Sequence, residues 1–502
     1  MKRLTVLLLA MALCLGSIGA AKADDIDIKV RGQWEFAFGF TQKSFRKSVN
    51  GQAGEMGYGA ADDSSVARQR VRTQIDFITS EYLSAVLMFE IGDLRWGSGN
   101  GKGRQGGADL DSDGVNIETK RAYLDWIIPY TEVSVRMGIQ GLTLPSTSLG
   151  SPVFDADVAA ITVSAPITDW LSAAVFWARP FDQYYNDDND SDFGDKMDDE
   201  TDMFGILLPM NFSDIGVSFT PWYVYSWVGA NSGIYDYLFA GSGDNSVSER
   251  NSSTKAWWIG GNFGFTLLDP LEFNMDFMYG RLNRAGLSGF GGAFAGDPDG
   301  YQGPDVMASG WFLAATLDYR LDFMTPGIFG WYGSGDTASG VNGNRIGRMP
   351  VLGTDGGFAA TSFGMNGYYH IGNGDNNPAV VSTGMGTWGI GIQLADVTFI
   401  EDLSHTLRFA YYRGTNDSDV VENLGNGYLA YDADPLYLTD KDQVFEVNFD
   451  HQYQIYENLT MVLELGYIHL KSDKDVWRVP AGSKLKDNDD AWKAEINFRY
   501  SF

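Results

Sequence analysis

The sequence predicts an all-β chain, a transmembrane antiparallel β-barrel, and three observations predict it. Apolar and polar residues alternate along long segments from one end of the chain to the other. The connections between those segments are alternately short and long. No apolar run after residue 23 approaches a membrane-spanning helix, although the chain opens with an export signal. Side chains alternate across a strand, so each segment shows an apolar medium to one face and a polar one to the other.

The elements follow in order. Lys2 and Arg3 precede an apolar run from Leu4 to Ile18, and Ala21-Lys22-Ala23 carries the small-x-small pattern of signal cleavage. Residues 1–23 are therefore expected to be a cleaved signal peptide, and 24–502 a single barrel domain. Ile26, Ile28, Val30, Trp34, Phe36, Phe38 and Phe40 alternate with Asp27, Lys29, Arg31, Gln33 and Glu35. Val71, Ile75 and Phe77 alternate with Arg68, Arg70, Arg72, Gln74 and Asp76. The same pattern returns at 271–279, 311–322, 459–467 and 492–502. A soluble sandwich also alternates. These strands are longer than the ~5–6 residues usual in globular proteins, and they suit the ~9–11 residues of a tilted bilayer-crossing strand.

Short turns are expected at Ser80-Glu81, Pro129-Tyr130, Ile167-Thr168, 212–214, 268–270, 323–326, 396–401 and 456–458. Long polar segments fall at 41–65, 97–116, 142–157, 180–201, 230–253, 284–307, 335–384, 415–440 and 471–489. Short turns on one side and long loops on the other are the barrel pattern. Counting the intervals gives about 18 strands. The alternative is 16, because 327–334 has the weakest pattern and 335–384 has room for a hairpin. Trp34, Trp170, Trp222, Trp331 and Tyr456, among others, stand at strand ends, where aromatic rings favour the headgroup zone.

Composition narrows the function. The formal charge of −29 becomes −32 once Lys2, Arg3 and Lys22 are removed with the signal. Such acidity argues against nucleic acid, whose phosphates need basic patches. The only cysteine, Cys14, lies in the signal, and Leu13 before it does not fit a lipidation site, so the mature chain has no thiol chemistry. The four histidines, His370, His405, His451 and His469, single out no Ser-His acid site. No enzymatic activity and no cofactor are expected. The exception is Ca2+ at Asp109-x-Asp111-x-Asp113-Gly114, which matches the opening of a calcium loop but has Lys120 where the bidentate Glu belongs. The acidic run at 187–202 reads as a hydrated loop, with cations bridging it to lipopolysaccharide as the sharper reading.

Selectivity in a pore comes from lumen-facing charge, strengthened by close walls. Arg68, Arg70 and Arg72 share one face of one strand. Lys29 and Arg31 have the same phase on the first strand, as do Arg121 and Arg136 on the fourth and fifth. These residues are the candidate constriction, and the basic wall is expected to favour small anions. The bland alternative is that they merely solvate the lumen or brace it by ion pairs. Charged residues outnumber aromatics at lumen phase. That favours general diffusion over a substrate-specific channel with a lumen binding site, which is the alternative.

The signal peptide, the end-to-end hairpins and the terminal Phe498, Tyr500 and Phe502 resemble those of bacterial outer-membrane porins. Lys120-Arg121-Ala122-Tyr123-Leu124-Asp125-Trp126, Pro152-Val153-Phe154-Asp155 and the acidic loops are most similar to the homotrimeric porins of sulfate-reducing proteobacteria. The resemblance implies a homotrimer in outer-membrane lipid and lipopolysaccharide, passing small solutes and ions. It implies that the aromatic C-terminus is the signal read by the barrel-assembly machinery. It also implies a third long loop folded into the pore. Here that loop is 142–158, bringing Asp155 and Asp157 to face the arginines. The Pro-Glu-Phe-Gly-Gly stretch of the enteric relatives is missing from it.

Overall fold

In a computed structural model of the chain, residues 26–42, 64–98, 117–182, 200–229, 232, 253–286, 305–342, 345–352, 357–365, 384–423, 437–473, 475–476 and 490–502 are described. The signal segment, residues 1–23, and the calcium-like motif at Asp109, Asp111 and Asp113 lie outside them.

The strands are β1 (Asp27–Gln42), β2 (Ser64–Ser80), β3 (Leu83–Arg95), β4 (Ile117–Ile127), β5 (Ser134–Thr143), β6 (Asp155–Thr168), β7 (Leu171–Phe181), β8 (Thr201–Leu207), β9 (Met210–Phe212) and β10 (Val217–Val228). They continue as β11 (Thr254–Phe265), β12 (Leu271–Gly286), β13 (Asp305–Tyr319), β14 (Thr325–Gly333), β15 (Arg345–Ile346), β16 (Thr387–Ile400), β17 (Leu403–Gly414), β18 (Gln443–Tyr456), β19 (Leu459–Lys471) and β20 (Ala491–Ser501). β8 and β9 both pair with β7 and with β10, so together they form one stave. β15 is a two-residue strand lying parallel to β13, outside the antiparallel wall. The remaining neighbours are antiparallel, and the barrel closes with 18 staves. The weakest predicted strand is real, as β14.

Outward positions carry Ile28, Val30, Phe204, Ile259, Phe277, Ile390, Ile392 and Phe409, all exposed. Only a bilayer solvates a continuous apolar belt of that kind, and closure leaves no unpaired strand edge inside it.

Closure runs through β1 and β20, in register from Gln33 opposite Ser501 to Gln42 opposite Trp492. Phe502 donates its N–H to the Gly32 carbonyl at 3.0 Å and accepts from the Gly32 N–H at 2.9 Å. A Cβ at Gly32 would stand 2.7 Å from the Phe502 ring and 2.3 Å from the Arg72 carbonyl oxygen. Glycine is required there so that the last ring can lie over the first strand. Gly32→Leu is expected to overpack the seam at a cost of about 1–3 kcal/mol. The check is the fraction of refolded protein that keeps fast gel mobility without heating, which should fall. Wild-type refolding would show that the seam has slack.

Two aromatic assignments change. Trp222 and Trp331 are 2% and 4% exposed and point inward, not to the headgroups. They belong to an apolar cluster inside the barrel, with Trp258, Phe312 and Tyr412 from the wall and Leu144, Phe154, Met349, Leu352, Phe358 and Phe363 from inserted loops.

Candidate pore constriction

The lumen wall from β20 through β1 to β5 is a row of ion pairs. Glu35 on β1 sits between two guanidiniums. Arg70 on β2 donates to its Oε2 at 2.6 and 2.9 Å, and Arg499 on β20 to its Oε1 at 2.7 and 2.9 Å. Register explains the arrangement, since Glu35 stands directly opposite Arg70 on one side and Arg499 on the other. Arg72 reaches Glu90, its pairing partner on β3, at 2.6 Å. Arg136 takes both oxygens of Asp125 at 2.7 and 2.8 Å and lies over the Tyr123 ring. Arg31 meets Asp76 near the turn side at 3.1 Å.

The predicted triplet is therefore presented unevenly. Arg68 is 2% exposed and stands opposite Arg95. The side chains of Arg70 and Arg72 are largely buried against their acids. Those of Arg136 and Arg499 remain 41% and 38% exposed. Apart from Lys29 and Arg31 near the turn side, 63% and 65% exposed, these two are the cations of the wall that water meets most. Arg499 was not among the sequence candidates, because its place in the row depends on barrel closure.

Asp155 and Asp157 lie elsewhere than expected. Both belong to β6, not to the inserted loop. Asp157 is opposite Gly141, in phase with the outward Ile139 and Ile161. Alternation thus turns it away from the lumen. It accepts from Arg121 at 2.7 Å and from Lys120 at 3.1 Å, and Lys120 also reaches Glu90 at 3.6 Å. This cluster fills the seam where β4 parts from β5, whose pairing ends at Ala122 and Ile139. Asp155 accepts a hydrogen bond from Thr143. Neither acid faces the arginines across the pore.

The third long loop does enter the lumen, held from the opposite wall. Asp276 on β12 is fully buried and accepts from Ser146 Oγ at 2.6 Å, from the Thr147 and Ser148 N–H groups at 2.9 Å each, and from Ser148 Oγ. A second inserted segment, residues 345–352 and 357–365, was not foreseen. It begins at Trp258, whose Nε1 donates to the Pro350 carbonyl at 2.7 Å. It then crosses to β18–β20. There Glu446 accepts from the Phe363 and Gly364 N–H groups at 3.2 and 2.9 Å, and Lys493 donates to the Ser362 carbonyl at 2.7 Å. Its root is pinned just past the loop ends of β14 and β17, where buried Asp336 pairs with Arg348 at 3.0 Å and accepts from Tyr437 at 3.0 Å. Burial lowers the affinity of the Arg348 guanidinium for its proton, and Asp336 more than reverses this, holding the group above its ordinary value.

The two insertions cross. Leu352 donates to the Val153 carbonyl and Ala359 to the Leu149 carbonyl, both at 2.9 Å. At the crossing, a Cβ on Gly150 would lie 1.5 Å from the Gly357 carbonyl oxygen, and one on Gly357 would lie 2.0 Å from the Ser151 oxygen. Only glycine on both sides allows that approach.

His405 and His451 form a cross-strand pair at 2.6 Å on the outward face, in phase with Phe409 and Phe449. Among the described residues, no group of three or more His, Cys, Asp or Glu could hold a metal ion.

No family model and no curated protein matches the chain. Solved structures do. A BenF-like porin from Pseudomonas fluorescens Pf-5 aligns over 95% of this chain and 98% of its own, with a TM-score of 0.51 and 10% identity. OprD of Pseudomonas aeruginosa covers 95% of both chains at 0.49 and 12%, and OpdQ of the same organism 95% and 98% at 0.48 and 11%. Kinship with the porins of sulfate-reducing proteobacteria finds no support in these matches. At 10% identity, the likeness to the BenF-like porin establishes that this chain has the fold of a porin barrel.

Proposed function

We propose that the protein is a passive outer-membrane channel for small hydrophilic solutes, and that it selects among them more narrowly than a general diffusion pore. The observation that carries this reading is the pair of crossed loops. They pack an apolar cluster into the barrel and leave water on the ion-paired wall at Arg136 and Arg499, whose side chains stay 41% and 38% exposed. A lumen narrowed by two insertions and lined by fixed partners on two sides suits discrimination by contact.

For simple ions the wall favours anions. Arg70, Arg72, Arg136 and Arg499 outnumber Glu35, Glu90 and Asp125, and the guanidiniums reach furthest into water. The acidic surplus of the whole chain is screened beyond about 8–10 Å at physiological salt. In planar bilayers under a KCl gradient, Arg136→Gln with Arg499→Gln is expected to lower the chloride-to-potassium permeability ratio by about threefold or more. An unchanged ratio would remove the wall from the filter.

The homotrimer, the lipopolysaccharide contacts and recognition of Phe498, Tyr500 and Phe502 by the barrel-assembly machinery follow from the resemblance to porins. Cross-linking of the detergent-solubilised protein tests the trimer, since a monomer ladder would exclude it.

A further inference from the structure

A cavity of about 390 Å3 lies in the lumen against the wall opposite the arginines, on the turn side of the crossed loops. Its side-chain lining comes mainly from Thr147 of the third loop, Asn274 on β12, Thr316 and Asp318 on β13, Phe329 on β14 and Gln393 on β16. It is at the small end of the ~300–1,000 Å3 typical of ligand sites.

Strand register builds it. Asn274, Thr316, Phe329 and Gly391 stand side by side around the wall, and Asp318, Gly327 and Gln393 form the row below. Each row contains one glycine where a side chain would fill the space. A Cβ at Gly327 would lie 2.0 Å from Asp318 Oδ1, and one at Gly391 would lie 2.2 Å from Phe329 Cζ. The Asp318 carboxylate thus folds over Gly327, where Gln393 donates to it at 2.9 Å. The Phe329 ring folds over Gly391.

The chemistry of the lining sets the class of ligand. Of the polar side chains, with Ser148 of the third loop included, five are neutral hydroxyls or amides and one is a carboxylate. An anion would meet Asp318 and no base in the lining. Arg408, opposite Gln393 on the next strand, is committed to Asp450 at 2.8 Å. A cation would find in the lining a single acid already accepting from an amide, and Glu272 beside it is paired with Arg320 and accepts from Asn274. A neutral polyol satisfies the set, because each hydroxyl both donates and accepts. Its O–H groups suit the carboxylate, and its oxygens suit the Asn and Gln N–H groups. The aromatic ring offers a face to C–H groups. We infer that this cavity is a binding site for a neutral saccharide of about monosaccharide size. The inference rests on the channel reading and names the solute class that channel selects.

The test is current through single channels in KCl with D-glucose, D-gluconate or D-glucosamine added, three solutes of one size and different charge. Glucose is expected to reduce the current saturably, with the other two weaker by about tenfold, the factor that 1.4 kcal/mol of binding would give. Thr316→Val and Gln393→Leu should lose the glucose effect, and their KCl current shows that they fold and insert. Channels that conduct KCl but respond equally to all three solutes, or variants that respond like the wild type, would overturn the saccharide site alone. A protein that conducts nothing would overturn the channel reading as well.

Discussion

Asp276→Ala should release the third loop and raise single-channel conductance by about twofold or more, since pore width sets ion flux. The carboxylate gathers the two loop N–H groups and the Ser146 and Ser148 hydroxyls. Hydrogen bonds to a charged partner contribute about 1.5–3 kcal/mol each when buried. Lumen water would re-solvate the freed donors, so the net loss is nearer ~3 kcal/mol, about a hundredfold shift in docking. Openings should appear as noise or as a larger conductance level. Asp276→Asn keeps one acceptor oxygen and should fall between. Unaltered conductance in Asp276→Ala would assign the loop's position to its bonds with Leu352 and Ala359 instead.

The second large effect belongs to Glu35→Ala. Glu35 is 3% exposed and lies on the closure seam between Arg70 and Arg499. Removing one partner of a buried pair costs about 3–5 kcal/mol, because a charge is left without compensation. Arg499 keeps contact with water, so the lower end of that range applies. The urea midpoint of unfolding should drop. Two guanidiniums freed of their acid should also raise chloride preference. A destabilised barrel with unchanged selectivity would make Glu35 a structural brace only. Unchanged stability would mean that water already screens the pair.

Much of the wall was legible in the sequence because its two solvents differ. Wherever the lumen is wet, as along β1 and β2, apolar and charged residues alternate cleanly and the strand phase can be read directly. The predicted short turns have counterparts within a few residues, except that 396–400 continues β16 and its turn falls at Glu401-Asp402; even β14 follows from its position between a turn and a loop. Legibility fails where the lumen is filled. Trp222, Trp258 and Trp331 occupy lumen phase because inserted apolar residues meet them there, so both faces of those strands read as apolar. Pattern alone then cannot tell inside from outside.

The second insertion left a signal of its own. Met349, Val351, Leu352, Phe358, Phe363 and Met365 are too apolar for a loop bathed in water, and all are buried. The polar residues around them hid the pattern. The pairing of Glu35 with Arg499 was not legible for a different reason. Nothing local links residues at opposite ends of the chain until the register of closure is known. Asp157 was misplaced because a strand boundary and a loop boundary lie within a few residues of each other, and one position decides which face a side chain takes.

The crossing at Gly150 and Gly357 also constrains the order of biogenesis. One strand of the crossing leaves the wall between β5 and β6, the other between β14 and β16, and the second ends on β18–β20. Neither can reach its final contacts until almost the whole wall exists. Docking of the two loops therefore belongs to the last steps of assembly, after the strands that hold them. The paired glycines let that docking finish without a side chain in the way.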